Sequence, residues 1–331
     1  LKNNSTLWGW GQNTSGQLGD GTSANKLSPV QIGSATDWVK VAAGVNNTAA
    51  LKSNGSTWIS GSNTGGQLGN GTTTFTSTHI QFGTEAAWSD MALGTSHILA
   101  LRDDSTLWSA GEASGLTGQS PRALALGAAS TSSWTHLVST NVSFHAIRAD
   151  NTLWAWGTGA SSTMGNGSTA DVRTLTQIGT GTDWQQISAG ATHLVALRTG
   201  GTLWAWGANT SYQLGNGTTT SSTTPVQIGT SQTWKHVAAG GNHGLAITTT
   251  GALYGWGSNT SGQLGDGTTV TRTTPTQSGG DTTWSKVATG SSHSLGIRTD
   301  GTLWAWGFNF SGQLGDNSTT NRTSRKYSSV R

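Results

Sequence analysis

Apolar and polar residues alternate along this chain in short bursts, separated by stretches rich in Gly, Asn, Ser and Thr. No burst keeps a helical period over the roughly ten residues that an amphipathic helix needs. In "TLWAWG" (Thr152–Gly157), Leu153 and Ala155 face one way while Trp154 and Trp156 face the other. Both faces are apolar, as a strand requires when sheets cover it on either side. The string recurs from Thr6, Thr202 and Thr302, as "ALYGWG" from Ala252, and in weaker form from Ser56 and Thr106. Its closing glycines, Gly11, Gly61, Gly111, Gly157, Gly207, Gly257 and Gly307, step by 50 residues except for one step of 46.

A second block reads "WVKVAAGVNNTAALK" from Trp38 and "WKHVAAGGNHGLAIT" from Trp234, with relatives from Trp88, Trp134, Trp184 and Trp284. It supplies two more short strands. "TPVQIG" supplies a fourth, and "KSNG", "RTGG" and "RTDG" supply hairpin turns. Four short strands per repeat make one blade of a β-propeller. Seven copies of the Trp-Gly block stand against six of the second. The expectation is an all-β, seven-bladed propeller of four-stranded blades spanning 1–331 as one domain, with one blade lacking two strands. Six complete blades plus an extra strand pair is the alternative.

Composition agrees with this picture and narrows the function classes. Gly 49 and Trp 17 with only 4 Pro suit many strands and tight turns rather than a disordered linker. Charged residues make up 9% and the net charge is +3, too sparse for the dense basic patch of a nucleic-acid binder, so no nucleic-acid partner is expected. With no cysteine, disulfides and thiolate metal sites are excluded. No apolar run approaches the ~18 residues of a membrane span. Beginning at Leu1 within a repeat, the chain reads as a fragment or processed product.

"VAAGGNHGLAI" (Val237–Ile247) and the "W-G-x-N-x-x-G-Q-L-G" loop resemble the two signature stretches of the regulator of chromosome condensation repeats, over nearly the whole chain. Kelch propellers share the period, but the Gly-Gly pairs at Gly65, Gly200, Gly240 and Gly279 fall in different slots. The resemblance implies the propeller fold. It also implies, as the alternative function, guanine nucleotide exchange on a small GTPase. Light sensing, which some of the family carry out with tryptophans just after the blade glycine, is not expected, because Val45, Thr95, Ala191, Gly241 and Ser291 stand there.

Residues that invite chemistry fall into repeat slots. All 17 tryptophans do, and packing accounts for them. His97, His193, His243 and His293 share a "G-x-x-H" slot one blade apart, so buried imidazoles bonded to neighbouring backbone are expected rather than a metal ring. Asp20, Asp266 and Asp316 interchange with Asn70, Asn166 and Asn216, which fits turn chemistry and not a calcium loop. Lys2, Lys52, Arg102, Arg148, Arg198 and Arg298 form a periodic set of cations, expected as solvated hairpin shoulders beside acids such as Asp103, Asp150 and Asp300. There is no phosphate loop and no nucleophile elbow, and Glu85 and Glu112 are the sole glutamates. No enzyme activity, cofactor or metal is expected.

Specificity is then sought where the copies disagree. After the second-block tryptophan the candidates are Lys40, Asp90, His136, Gln186, Lys235, His236 and Lys286, expected on a rim of loops at one end of the ring. The short third copy (about 111–147) adds Glu112 and Arg122. The expected function is a non-catalytic scaffold for a protein or glycan partner, exported or on a surface, with cytoplasmic or nuclear placement the alternative. At the Leu1/Arg331 seam, a neighbouring subunit or another chain segment is a candidate strand donor.

Overall fold

The computed structural model describes residues 1–112, 122–123 and 133–327, the 122–123 pair by backbone alone. Each second block folds as two strands and each Trp-Gly block as a third, because their alternating apolar residues need cover on both faces. Blade 1 has β1 (Trp8–Gly11) and β2 (Lys26–Gln31). Blade 2 has β3 (Trp38–Ala43), β4 (Asn47–Lys52), β5 (Thr57–Gly61) and β6 (Thr76–Gln81). Blade 3 has β7 (Trp88–Leu93), β8 (His97–Arg102), β9 (Leu107–Gly111) and β10 (Arg122–Ala123). Blade 4 follows with β11 (Trp134–Ser139), β12 (Ser143–Arg148), β13 (Leu153–Gly157) and β14 (Val172–Gln177). In blade 5 these are β15 (Trp184–Ala189), β16 (His193–Arg198), β17 (Thr202–Gly207) and β18 (Ser222–Ile228). Blade 6 has β19 (Trp234–Ala239), β20 (His243–Thr248), β21 (Leu253–Gly257) and β22 (Arg272–Gln277). Blade 7 has β23 (Trp284–Thr289), β24 (His293–Arg298), β25 (Leu303–Gly307) and β26 (Arg322–Tyr327).

Each complete blade is an antiparallel meander, and six of them with the two-stranded blade 1 form the expected propeller. The first strands of neighbouring complete blades touch around the axis, so they are innermost. The core lies in the joints. Val195, Leu197, Leu203 and Leu214 of blade 5 share one cluster with Trp234, Val237 and Trp256 of blade 6. At about 1.5–3 kcal/mol per fully buried large apolar side chain, no blade holds without its neighbours.

The second tryptophan of the Trp-Gly block bolts four of the joints, whereas Ser60 and Ala110 hold that slot in blades 2 and 3. Trp206 Nε1 donates to Thr163 O at 2.8 Å, Trp256 to Gln213 O at 2.9 Å and Trp306 to Gln263 O at 2.8 Å. Gly215 lets the indole lie against backbone: at φ 71° a Cβ there would sit 2.7 Å from Trp256 Cδ1. Trp10 Nε1 repeats the bolt to Gln313 O at 2.9 Å, closing the outer half of the ring between blades 7 and 1. Among the described residues blade 1 has no counterpart of β3 and β4.

Candidate functional site

Two faces result from the meander. One, the loop face, carries the turns between first and second strands and the long third-to-fourth-strand loops, joined by bonds such as Phe308 N to Ser292 O at 2.9 Å. The other, the hairpin face, carries the second-to-third-strand hairpins and the connections between blades.

On the hairpin face the periodic cations are clamped rather than solvated. Arg198 lies 4.1 and 4.2 Å from the ring centroids of Trp184 and Trp204, and Arg298 lies 4.9 and 4.1 Å from Trp284 and Trp304. Their ion partners come from the connection entering the blade: Asp37 for Lys52, Glu85 for Arg102, Asp183 for Arg198 and Asp281 for Arg298. The hairpin acids lie beside the cations too, Asp150 at 3.9 Å from Arg148 and Asp104 at 3.9 Å from Arg102, and they also serve the turn. Asp150 Oδ1 accepts from Thr152 Oγ1 at 2.5 Å, and that hydroxyl accepts from Trp154 Nε1 at 2.8 Å.

The slot histidines His97, His193, His243 and His293 lie beneath the blade glycines, and His145 is buried outside that slot. His97 Nε2 meets Ser139 Oγ at 2.7 Å and His243 Nε2 meets Ser294 Oγ at 3.0 Å, each in the following blade, while His145 Nε2 meets Thr163 O at 2.8 Å. Burial pushes His97, His145 and His193 down to about 4 and His243 to about 3, so all are neutral at ordinary pH. A Cβ on Gly240 would sit 2.1 Å from the His243 ring, which explains the Gly-His pairing. In the third copy Thr140 and Ser143 take these two slots, their hydroxyls 2.7 Å apart and buried. The exchange of small-over-large for two medium side chains fills the same space.

Five of the six Asp/Asn loops are knotted by one asparagine, Gly159 holding that slot in the loop of Asn166. Asn259 Nδ2 donates to Asp266 Oδ1 at 3.1 Å and to the carbonyls of Thr268 and Val270, and its Oδ1 accepts from Leu264 N at 2.9 Å. Arg272 pairs with Asp266 at 2.7 Å. These carboxylates close turns. Among the described residues no group of three His, Asp or Glu side chains converges as a metal site would require.

The disagreeing positions after the second-block tryptophan are not on loops. They begin the innermost strands, where a bulge at the residue following the tryptophan turns the next side chain towards the neighbouring blade. A belt results. Lys40 Nζ pairs with Asp90 Oδ1 at 2.5 Å, half-buried His136 feels both charges, and Gln186 Nε2 reaches His236 Nδ1 at 3.1 Å, whose Nε2 meets Val287 O at 3.0 Å. Lys286 and Lys40, the two ends of the belt, are exposed at the seam. Lys235 is exposed in a bulge, Glu112 is exposed at the base of the short copy, and the Arg122 side chain lies outside the described residues, as does Arg331.

Comparing the copies at another slot would have found a further group. Phe310, 76% exposed, stands where Thr14, Thr64, Thr210 and Thr260 stand, with its ring 6.3 Å from that of Phe308. On the same face the mouth of the axis is a cavity of about 130 Å³ lined by Gly44, Gly94, Thr140, Gly190, Gly240 and Gly290.

Family models described as the regulator of chromosome condensation (RCC1) repeat match residues 4–51, 150–197, 200–247 and 250–297, together more than half of the chain. A second model of the same repeat matches 184–213, 234–263 and 284–313. No curated protein sequence matches. Among solved structures, human WBSCR16 is similar over 98% of this chain and 94% of its own, at 16% identity and TM-score 0.88. Prp20p from Saccharomyces cerevisiae, in a structure reported with its binding properties to Gsp1p and histones, is similar over 99% and 87%, at 19% identity and TM-score 0.86. The likeness is one of fold. With its joints, its Gly-His slots and its knotted loops repeated around the ring, the chain belongs to the regulator of chromosome condensation repeat family.

Proposed function

We propose that this propeller is a non-catalytic scaffold that binds a protein partner through its loop face. The observation behind this reading is that four of the ten exposed large apolar side chains among the described residues, Val45, Phe75, Val270 and Phe310, lie on loop-face connections in three different blades, and that three of them, Phe310, Val270 and Phe75, are the most exposed of all. Exposed apolar groups gathered on one face mark interaction surfaces. The side chains that invite catalysis are committed elsewhere, the imidazoles to blade joints and the carboxylates to turns and ion pairs. A protein is favoured over a glycan because no tryptophan is exposed to stack on a sugar. The uncharged polar surface supports an exported or surface setting, against which cytoplasmic or nuclear placement is the alternative that fractionation decides.

A photo-crosslinking residue at Phe310 is expected to capture a protein partner, and the same residue at Lys235 on the opposite end is not. Capture from Lys235 alone, or glycan-array binding with no crosslink from Phe310, refutes the reading. Guanine nucleotide exchange is the second reading, supported by the fold likeness to a chain reported to bind Gsp1p. Nucleotide release from candidate GTPases that is no faster with the pure protein removes it.

A further inference from the structure

In four joints an indole lies over a loop glycine and donates to the carbonyl two residues before it. Trp206 does so over Gly165 to Thr163 O, Trp256 over Gly215 to Gln213 O, Trp306 over Gly265 to Gln263 O and Trp10 over Gly315 to Gln313 O. Two joints lack that tryptophan, and they answer the loss differently. Between blades 1 and 2, Ser60 stands in the slot, its Oγ donates to Gln17 O at 3.3 Å, and the His79 ring lies over Gly19 with Nδ1 3.4 Å from Gly19 O. Ring and donor are both replaced. Between blades 2 and 3 the slot holds Ala110, whose methyl offers Gln67 O no proton. Phe82, standing where Ile32, Ile178 and Ile228 stand, takes up part of the freed space, its ring 5.3 Å from that of Trp88. A cavity of about 380 Å³ remains over Gly69, the glycine equivalent to Gly215, and among the described residues its other walls include Asn70, Gln81, Glu85, Trp88 and Trp108.

We infer that this cavity is a binding site for an indole group, which takes the place of the absent tryptophan. A space left by a large apolar side chain accepts a ligand of the same shape, because the lining regains dispersion contacts that it otherwise forfeits. Trp88 and Trp108, whose rings meet edge to face at 6.1 Å and 86°, form an aromatic wall against which a flat ring packs edge-on or offset. Gly69, with φ 64° and no side chain, lets that ring approach the loop backbone as Trp256 approaches Gly215. The ring N–H then has Gln67 O as its acceptor, which precedes Gly69 by two residues as Gln213 precedes Gly215. The volume suits such a ligand, since small-molecule sites run from about 300 to 1,000 Å³. Recognition therefore rests on the shape of the ring and on one N–H, which free indole and the tryptophan side chain of a peptide both carry.

The test uses the 331-residue chain with 5-fluoroindole observed by fluorine NMR, and indole, 1-methylindole and N-acetyltryptophanamide as competitors. Binding should be 1:1 with a Kd of about 0.1–1 mM, as befits a ligand of this size in a partly open slot. 1-Methylindole keeps the ring and loses the N–H, so it should bind about fivefold more weakly or worse than indole. Ala110→Trp fills the cavity from within the chain, so it should weaken 5-fluoroindole binding by about tenfold or more and melt at a higher temperature than the parent. Ala110→Leu, matched in size to the adjoining Leu68 and Ile98, asks the same question of binding with a smaller change in packing. Competition by N-acetyltryptophanamide makes a peptide tryptophan an occupant of the site, and its exclusion restricts the site to free indole. Absence of binding at about 5 mM 5-fluoroindole, well above the expected Kd, overturns the inference. So does binding that is unchanged in both Ala110 variants, or equal affinity for indole and 1-methylindole.

Discussion

Acid should unfold this propeller through its histidines before its carboxylates respond. His97, His145, His193 and His243 are fully buried, and burial depresses each well below the ordinary value of 6.5, to about 4 for three of them and about 3 for His243. In the unfolded chain the same rings regain about 6.5 and bind protons that the folded chain refuses. Stability is therefore intact above pH 6.5, falls as pH drops from 6.5 towards 4, and levels off below the folded values. Between pH 7 and 5.5 each ring contributes a loss of about 1.2 kcal/mol, so the four together lose about 5 kcal/mol, comparable with the net stability of many domains. For a chain of this length that lowers Tm by about 7 °C. His293, also lowered to about 4 by burial, adds a fifth contribution of similar size. Calorimetric melts at pH 7, 6, 5.5 and 5 measure the effect, and His243→Asn should remove about a fifth of the five-ring loss, because Asn47 already fills the same slot in blade 2. A Tm constant down to pH 5, or an acid loss in His243→Asn equal to that of the parent, refutes the reasoning. The loop carboxylates Asp20, Asp266 and Asp316 sit below the ordinary carboxylate range, held there by hydrogen bonds and cations that outweigh their burial, so their loss belongs below pH 4 and does not blur the test.

Three further outcomes are expected. Arg198→Met should cost about 1–2 kcal/mol in denaturant melts, because it removes a cation between two indoles, and Arg198→Lys should recover part of that. Asn259→Ala should cost about 2–3 kcal/mol by leaving the buried Leu264 N–H without its acceptor, and limited proteolysis should then cut within 257–271. Ser143→His alone should destabilise blade 4 by more than about 3 kcal/mol because Thr140 occupies the space above it, whereas Thr140→Gly/Ser143→His together should cost less than the sum of the single changes by at least about 1 kcal/mol in a double-mutant cycle.

Strand positions, the number of blades and the incomplete one were all legible in the sequence, because each depends on local alternation and on counting repeats. The packing roles of Trp206 and His243 followed from the same slots. What was not legible depends on contacts far apart along the chain. Arg198 looked like a solvated hairpin shoulder since the indole and the carboxylate that hold it, Trp184 and Asp183, precede it by most of a hairpin. The position of His236 was read as a loop because the bulge after Trp234 is invisible in the alternation, and its partners Gln186 and Val287 lie in the two adjacent blades. Phe310 differed: its signal was present, in a slot where four other copies carry Thr.

Where copies disagree, the disagreement takes two physical forms. Thr140 and Ser143 depart from Gly and His together, and each departure makes room for or fills the space left by the other, so the joint is preserved and no surface changes. Phe310 departs together with Phe308, whose ring stacks 6.3 Å from its own, and still stands 76% exposed to solvent. Lys40 and Lys286 are a third case, ordinary members of a belt whose exposure comes from their position at the seam rather than from their identity. A compensated difference maintains the fold, whereas an uncompensated one is free to meet a partner. That distinction favours the loop face as the proposed binding surface, and assigns the histidines, the loop acids and the clamped cations to the ring itself.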